Sequence, residues 1–250
     1  MIEGKKIVLG ITGSIAAYKS VELLRKLQKM GAEVRVATTP SALKFVPKLT
    51  LQILSGSPVY FDNLDETVTF VQHTSLASWG DLFLVAPATA NTIAKMAYGI
   101  ADNPVTELAL CFGKGIVCPA MNSRMYENPT TQENLEKLKK LGYEIVEPEE
   151  GFLACKDKGK GRLADLDDIL DSVFYWFLPK LFEGRKVVIT AGATREYIDP
   201  VRFISNPSSG KMGFSLAKVF KGLGADVVLI TGKTHLRTPY KVKRIDIETV

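Results

Sequence analysis

Apolar residues fall into two alternating patterns along the chain. Short apolar-rich runs occur in Lys6 to Ser14, Glu33 to Thr38, Leu82 to Pro87, Gly115 to Cys118, Arg185 to Thr190 and Asp226 to Thr231. Runs of that length, bounded by Gly, Pro and small polar residues, read as strands. Where they are apolar throughout, they read as strands buried on both faces, as in a parallel sheet. Between them, apolar positions recur at helical spacing. Ile15 to Met30 carries Ala17, Val21, Leu24 and Leu27 on one stripe, and Gly31 follows as a C-cap. Ile93 to about Tyr98, Thr131 to Leu141 and Ala164 to Leu178 also read as helices, and Gly142 to Val146 as a short strand. Val46 to Asp65, interrupted by Pro47 and Pro58, reads as irregular chain that wraps a sheet edge or meets a neighbouring subunit. The alternation predicts the α/β class: a doubly wound, mostly parallel, Rossmann-like sheet with right-handed crossovers over residues 1–182. Pro179 to Gly184 breaks the last helix and marks a domain boundary. A second Rossmann-like β-α-β start occupies residues 185–250.

Composition narrows the partners. The 250 residues can bury one large core or two modest ones. Net charge is +5 with both signs interspersed, and no dense Lys/Arg block calls for a nucleic acid. A phosphorylated small molecule suits that balance. The three cysteines, Cys111, Cys118 and Cys155, show no CxxC spacing. With no signal peptide they read as reduced thiols in a cytoplasm, and no metal site is expected. The longest apolar runs are strand-sized, so no transmembrane helix is expected.

Several stretches carry candidate chemistry. Gly13-Ser14 forms a turn between strand and helix, where free N–H groups and the helix dipole favour an anion. The spacing is not GxGxxG, so a mononucleotide phosphate suits it better than a dinucleotide. Thr39 and Ser41 end the second strand, where their hydroxyls either bond a ligand or cap a helix starting near Ala42. Thr89-Ala90-Asn91-Thr92 opens a helix after the strand Leu82 to Pro87, giving a second set of N–H groups and short polar side chains. Asn122 follows the strand Gly115 to Cys118. It is able to donate to and accept from a ligand, or to close the loop as an Asx turn. His73 is one of two histidines, and imidazole is the side chain whose ordinary titration lies nearest neutrality, so it is the natural acceptor for a thiol proton. Gly151 to Arg162 is rich in Gly and Lys and reads as a mobile loop that closes over a substrate. Cys155 stands among its lysines, as either a reactive thiol or an inert small residue.

Taken together, these stretches resemble the flavin-dependent cysteine decarboxylases. The run Ala86-Pro87-Ala88-Thr89-Ala90-Asn91-Thr92-Ile93-Ala94-Lys95-Met96-Ala97, followed by Gly99 to Asn103, is similar to that family's flavin mononucleotide motif. Pro119-Ala120-Met121-Asn122 is similar to its substrate motif, His73 to Asp81 to its His-containing segment, and Gly151 to Arg162 to its substrate flap. Thr74, Gly80 and Lys156 depart from the pattern, Gly80 by loosening the local turn and Lys156 by altering how the flap folds over. The resemblance implies flavin mononucleotide held by Gly13, Ser14, Thr39, Ser41, Thr89, Ala90, Asn91, Thr92 and Ala120. It implies substrate contacts from Asn122, Met125 and Ala154, a base at His73 and a proton donor at Cys155. The implied reaction turns 4′-phosphopantothenoylcysteine into 4′-phosphopantetheine, in trimers with active sites at subunit contacts, assembled into a dodecamer. Two rivals are a decarboxylase of peptide C-terminal cysteines and a flavoprotein-like regulatory subunit. The second region argues against the first, and retention of both His73 and Cys155 against the second.

Asp199 to Gly213 resembles the N-terminal half of the phosphopantothenate–cysteine ligases, with Ala193 and Pro207 as departures. Ser208, Ser209 and Gly210 read as a phosphate cradle at a helix start. Asn206 is implied in conversion of an acyl-nucleotide intermediate, and Arg202 belongs to the same motif. The full ligase implies CTP and Mg2+. The ligase-like part reaches Val250 a few dozen residues into the expected domain, so this part is expected to be incomplete and not to ligate alone.

Overall fold

The computed structural model describes residues 2–63, 71–152 and 158–249. The chain forms two compact units, Met1–Ile169 and Leu170–Val250. In order, the first contains β1 (Lys6–Ile11), α1 (Ala17–Lys29), β2 (Glu33–Thr38), a 3₁₀ turn at Ala42–Lys44, α2 (Lys48–Ser55) and α3 (Gln72–Trp79). It continues through β3 (Leu82–Ala88), α4 (Ala90–Tyr98), α5 (Pro104–Phe112), β4 (Gly115–Pro119), α6 (Ser123–Glu127) and α7 (Pro129–Lys140). After these come β5 (Tyr143–Ile145), β6 (Glu149–Phe152) and β7 (Lys158–Arg162). The division between the units falls inside α8 (Leu166–Trp176).

The first unit is built on a five-stranded parallel sheet in the order β2-β1-β3-β4-β5. All seven residues of β3 and all five of β4 are buried, which is why those runs are apolar throughout rather than alternating. Phe83 of β3 stacks on Phe112 of α5 with ring centroids 5.3 Å apart. Gly80 is pressed against this pair. A Cβ there would stand 2.8 Å from the Phe112 ring and 2.9 Å from Val8. Glycine at this position is therefore a packing requirement, not a loosened turn.

The chain runs from β1 outward to β2, then returns past β1 to β3. The strand order thus reverses between β1 and β3, and the loops leaving their C-terminal ends diverge around a crevice. Thr12, fully buried, joins the two sides. Its hydroxyl donates to the Pro87 carbonyl at 2.7 Å and accepts from the Thr89 N–H at 3.0 Å. Ser20 of α1 makes a further tie, donating to the Ala86 carbonyl at 2.7 Å.

Three segments differ from the sequence expectation. Residues 48–55 form α2 within the stretch read as irregular. Pro47 precedes the helix and Gly56 ends it in the left-handed region at φ 67°, so the apparent breaker is a start signal. The described flanks of the expected mobile loop are strands, because β6 and β7 pair antiparallel. Helix α1 starts at Ala17, and Ser14 does not cap it directly. Its Oγ accepts from the Ala16 N–H at 3.2 Å instead. Helices α3 and α5 occupy stretches for which the sequence supplied no element. Among the described residues, no helix is long and apolar enough to cross a membrane.

The second unit continues with β8 (Lys186–Ala191), β9 (Glu196–Tyr197), β10 (Phe203–Ile204), α9 (Lys211–Gly222), β11 (Asp226–Thr231) and β12 (Lys243–Asp246). Strands β12-β11-β8 form a parallel sheet, and β9 and β10 a short hairpin. Its core gathers Phe214, Ala217, Ala225, Val227 and Leu229. Asp171 is 1% exposed, and its carboxylate faces Lys218 Nζ at 2.5 Å and Arg237 at 2.9 Å. A buried carboxylate persists only with such partners.

Thr12→Val keeps the side-chain shape but takes a partner from both the Pro87 carbonyl and the Thr89 N–H. We expect a loss of about 1–3 kcal/mol in stability, the usual cost of stranding buried polar groups. Chemical denaturation followed by circular dichroism checks this. An unchanged midpoint would show that the two loops hold their spacing without the hydroxyl.

Candidate active site

A cavity of about 840 Å³ opens where the sheet order reverses, a size within the range of small-molecule and cofactor sites. Its walls come from six stretches. Gly13 to Lys19 follow β1 and Thr39 to Ser41 follow β2. Thr89 to Thr92 and Lys95 come from the N-cap and first turns of α4, and Asp102 and Asn103 from the start of α5. Ala120, Met121, Asn122 and Met125 follow β4, and Gly161 to Leu163 come from the end of β7.

Close approach of backbones shapes this floor. A Cβ on Gly13 would lie 2.5 Å from the Ser41 Cβ, so only glycine lets the loops after β1 and β2 meet. Gly161, at φ 157°, lies against the Met121 carbonyl, and a Cβ there would run into it. The Gly161 carbonyl accepts from the Met121 N–H at 2.9 Å. The hairpin is thereby docked on the loop that carries Asn122.

Polar groups converge on the cavity. Thr89 caps α4, its Oγ1 accepting from the Thr92 N–H and donating to Thr92 Oγ1 at 3.2 Å. Thr39 is 7% exposed, and its Oγ1 has no hydrogen-bond partner among the described residues. Thr38 Oγ1 and Ser172 Oγ are orphaned in the same way among the described residues, and Thr39 is the one of the three that lines the cavity. Asn122 begins α6, its Oδ1 accepting from the Arg124 N–H at 2.9 Å. The Asx cap and the position on the cavity wall therefore coexist in one residue. Lys19, Lys95 and Arg162 face the cavity alongside Asp102. Asp102 contacts Lys95 Nζ at 2.5 Å, and that hydrogen bond holds its carboxyl below the usual range. The cations favour an anionic ligand.

All nine residues expected to hold a cofactor, Gly13, Ser14, Thr39, Ser41, Thr89, Ala90, Asn91, Thr92 and Ala120, line this cavity. Asn122 and Met125 do so too. His73 does not. It lies in the first turn of α3, with Nδ1 facing Glu107 Oε2 at 3.3 Å. Ala154 and Cys155 lie outside the described residues. Sequence reasoning missed Lys19, Tyr18, Lys95 and Arg162. Lys95 was findable, since it sits four residues after Asn91 on one face of α4. Arg162 was not, because its place depends on the Gly161 docking. In the second unit, Gly210 is the residue preceding α9 at φ 76°, and Ser208 and Ser209 lead into it. Asn206 Oδ1 accepts from the Ser208 N–H at 3.0 Å, and Arg202 pairs with Asp199 at 2.6 Å. These side chains are exposed.

Comparison with known proteins adds three findings. Residues 1–178 match the Flavoprotein family, and residues 182–250 match the DNA/pantothenate metabolism flavoprotein C-terminal domain. The coenzyme A biosynthesis bifunctional protein CoaBC of Vibrio cholerae is 48% identical over 250 residues, covering 99% of this chain and 63% of that protein. Its counterpart in Escherichia coli is 46% identical, with 99% and 62% covered. The chain thus spans a little under two thirds of these relatives. Among solved structures, a serine-for-cysteine mutant of a PPC decarboxylase, complexed with pantothenoylaminoethenethiol, is 32% identical. It covers 70% of this chain and 99% of its own, with TM-score 0.63. The FMN binding protein AtHal3 is 31% identical over 70% of this chain and 97% of its own, with TM-score 0.59.

Thr39→Val removes a buried hydroxyl that lacks a partner. The ligand-free protein should be as stable as the parent or more so, by up to about 1–3 kcal/mol, the cost of burying an unpaired hydroxyl. Thermal melting of the ligand-free protein measures it. A lower melting temperature would show that the hydroxyl has a structural partner in solution.

Proposed function

The chain belongs to the Flavoprotein family, and on that premise we propose that its first region binds flavin mononucleotide and decarboxylates 4′-phosphopantothenoylcysteine to 4′-phosphopantetheine, a step of coenzyme A biosynthesis. The observation that carries this reading is the single cavity that gathers the Gly13-Ser14 turn, the Thr89 to Thr92 turn and Asn122. We assign the decarboxylase region to residues 1–182 and the ligase-like region to residues 185–250.

The residues present fit a flavin phosphate and ring. Before α1 the Ser14 N–H is given to the Thr12 carbonyl, which leaves those of Gly13 and Ile15 for a ligand, and at α4 the N–H groups of Ala90 and Asn91 form a second set beside the engaged ones of Thr89 and Thr92. Thr39 offers an unpartnered hydroxyl to the ligand, and Ser41 stands beside Gly13. When bound, the flavin supplies a two-electron sink beside the thiol-bearing carbon, without which loss of the carboxylate would leave an unstabilised carbanion.

The chain's own groups do the rest. Asn122 orients the substrate amide or carboxylate, with its Oδ1 already fixed by the Arg124 N–H. Met125 forms the adjoining apolar wall. His73 takes the thiol proton. Because it stands off its own cavity, His73 serves the site of a neighbouring copy, in keeping with a trimer whose active sites lie at subunit contacts, twelve copies completing the assembly. Ala154 contacts the substrate, and Cys155 holds the proton that completes the product. For the ligase-like region we propose a part in joining 4′-phosphopantothenate to cysteine with CTP and Mg2+. Here that region contributes Asn206, Arg202 and the Ser208-Ser209-Gly210 cradle. A cytoplasmic location agrees with this metabolism.

The protein should purify yellow and release flavin mononucleotide on denaturation, identified by mass. Release of a dinucleotide alone, or failure to take up any flavin on reconstitution, would remove the assignment. Thr39→Val should weaken flavin binding about 5–10-fold, the scale of one hydrogen bond.

Asn122→Asp keeps an oxygen for the Arg124 N–H, so the fold should survive, but it sets a negative charge beside an anionic substrate. His73→Asn removes the base. Substrate-driven flavin bleaching in stopped flow should fall by about 10²–10⁴-fold in either variant. Bleaching at the parent rate would contradict the roles given. Release of carbon dioxide and 4′-phosphopantetheine from 4′-phosphopantothenoylcysteine tests the reaction as a whole.

A further inference from the structure

His73 is not held by the cavity but by a separate group of side chains. Its Nδ1 faces Glu107 Oε2 at 3.3 Å. The Tyr60 hydroxyl donates to the same oxygen, and Asn63 Nδ2 donates to Glu107 Oε1 at 3.0 Å. Glu107 is thus fixed on both oxygens, and its side chain is only 18% exposed. Burial, then the bond to Glu107, pushes the Tyr60 phenol above its ordinary range, so it stays a donor.

Both mounts are rigid. Tyr60 is pinned to β2 through its backbone, its N–H donating to the Val36 carbonyl at 3.0 Å and its carbonyl accepting from Thr38 at 2.8 Å. Glu107 sits in α5, whose start is secured by the Asn103–Thr106 capping box. Asn103 lines the cavity, and Glu107 follows it by four residues, about 6 Å along a helix axis.

We propose that Glu107, steadied by Tyr60 and Asn63, is a positioning residue that keeps the His73 proton on Nδ1 and presents Nε2 as the acceptor. The 3.3 Å contact is an ion-pair distance rather than an aligned N–H···O bond, but a bare nitrogen lone pair that close to a carboxylate oxygen is repelled, so the tautomer with hydrogen on Nδ1 is the lower in energy. When a thiol yields its proton, the S–H bond breaks and an Nε2–H bond forms. The resulting imidazolium then faces a negative carboxylate rather than water. This rests on the reading of His73 as the base, and it extends that reading to residues far from any recognised motif.

The test uses the full chain with its flavin and compares the parent with Glu107→Gln, Glu107→Leu and Tyr60→Phe. Nitrogen-15 spectra of the histidine rings report which nitrogen carries the proton, and a His235→Gln variant assigns the two signals. The parent should show His73 protonated at Nδ1. Glu107→Gln keeps an oxygen acceptor of the same size and should largely keep that tautomer. Glu107→Leu should lose it, and single-turnover flavin bleaching should drop on the order of 10–100-fold at unchanged substrate KM, less than the 10²–10⁴-fold expected for losing the base itself. Tyr60→Phe should fall between the parent and Glu107→Leu. Protonation at Nε2 in the parent overturns the proposal, as does parent-rate bleaching in a folded Glu107→Leu. Parent-rate bleaching in His73→Asn would instead defeat the base assignment, while the ring spectra still decide whether Glu107 sets the tautomer.

Discussion

The Thr12 hydroxyl, donating to the Pro87 carbonyl and accepting from the Thr89 N–H, fixes the distance across the crevice. Both helix starts that offer N–H groups to an anion issue from the strand ends it ties together. The Gly13 approach to Ser41 extends the same constraint to the loop after β2. Three loops that are distant in sequence thus behave as one rigid floor. A parallel sheet provides the strand ends. A single buried hydroxyl and one missing Cβ convert them into a site.

The other wall is made differently. Asn122 and Met125 come from a short helix after β4, and its partner is a hairpin held by the Gly161–Met121 contact. The hairpin brings Arg162 to the cavity wall. His73 belongs to neither floor nor wall. It is mounted on α3 against α5, with its side chain 33% exposed.

Legibility in the sequence followed range. The strands β1 to β4 and the turns after them were readable because unbroken apolar runs, small residues and helix starts lie within a dozen residues of one another. The nine cofactor positions came from those turns and from their resemblance to a known motif. Helix α2 was missed because Pro47 and Pro58 read as breakers, although Pro47 immediately before a helix and Gly56 after it are boundary signals. The β6–β7 pairing was hidden by its glycines, which depress strand propensity and are present because β7 presses on Met121 and Ser123. The Glu107–His73 contact left no local trace, since it links residues 34 positions apart, both drawn from stretches the pattern left unassigned.

Leaving Thr39 Oγ1 without a partner has a consequence for the protein's lifetime in a cell. Thr39 Oγ1 has no partner among the described residues, so a ligand atom that bonds it adds stability that the protein's own groups do not supply. Ligand at a hundredfold excess over its dissociation constant adds about 2.7 kcal/mol by mass action alone. Differences of that size change how often a chain opens and is caught by proteases. Newly made chains that find their ligand would persist, and those that do not would be cleared sooner. Filling of the cavity is in this way tied to how long the folded chain survives.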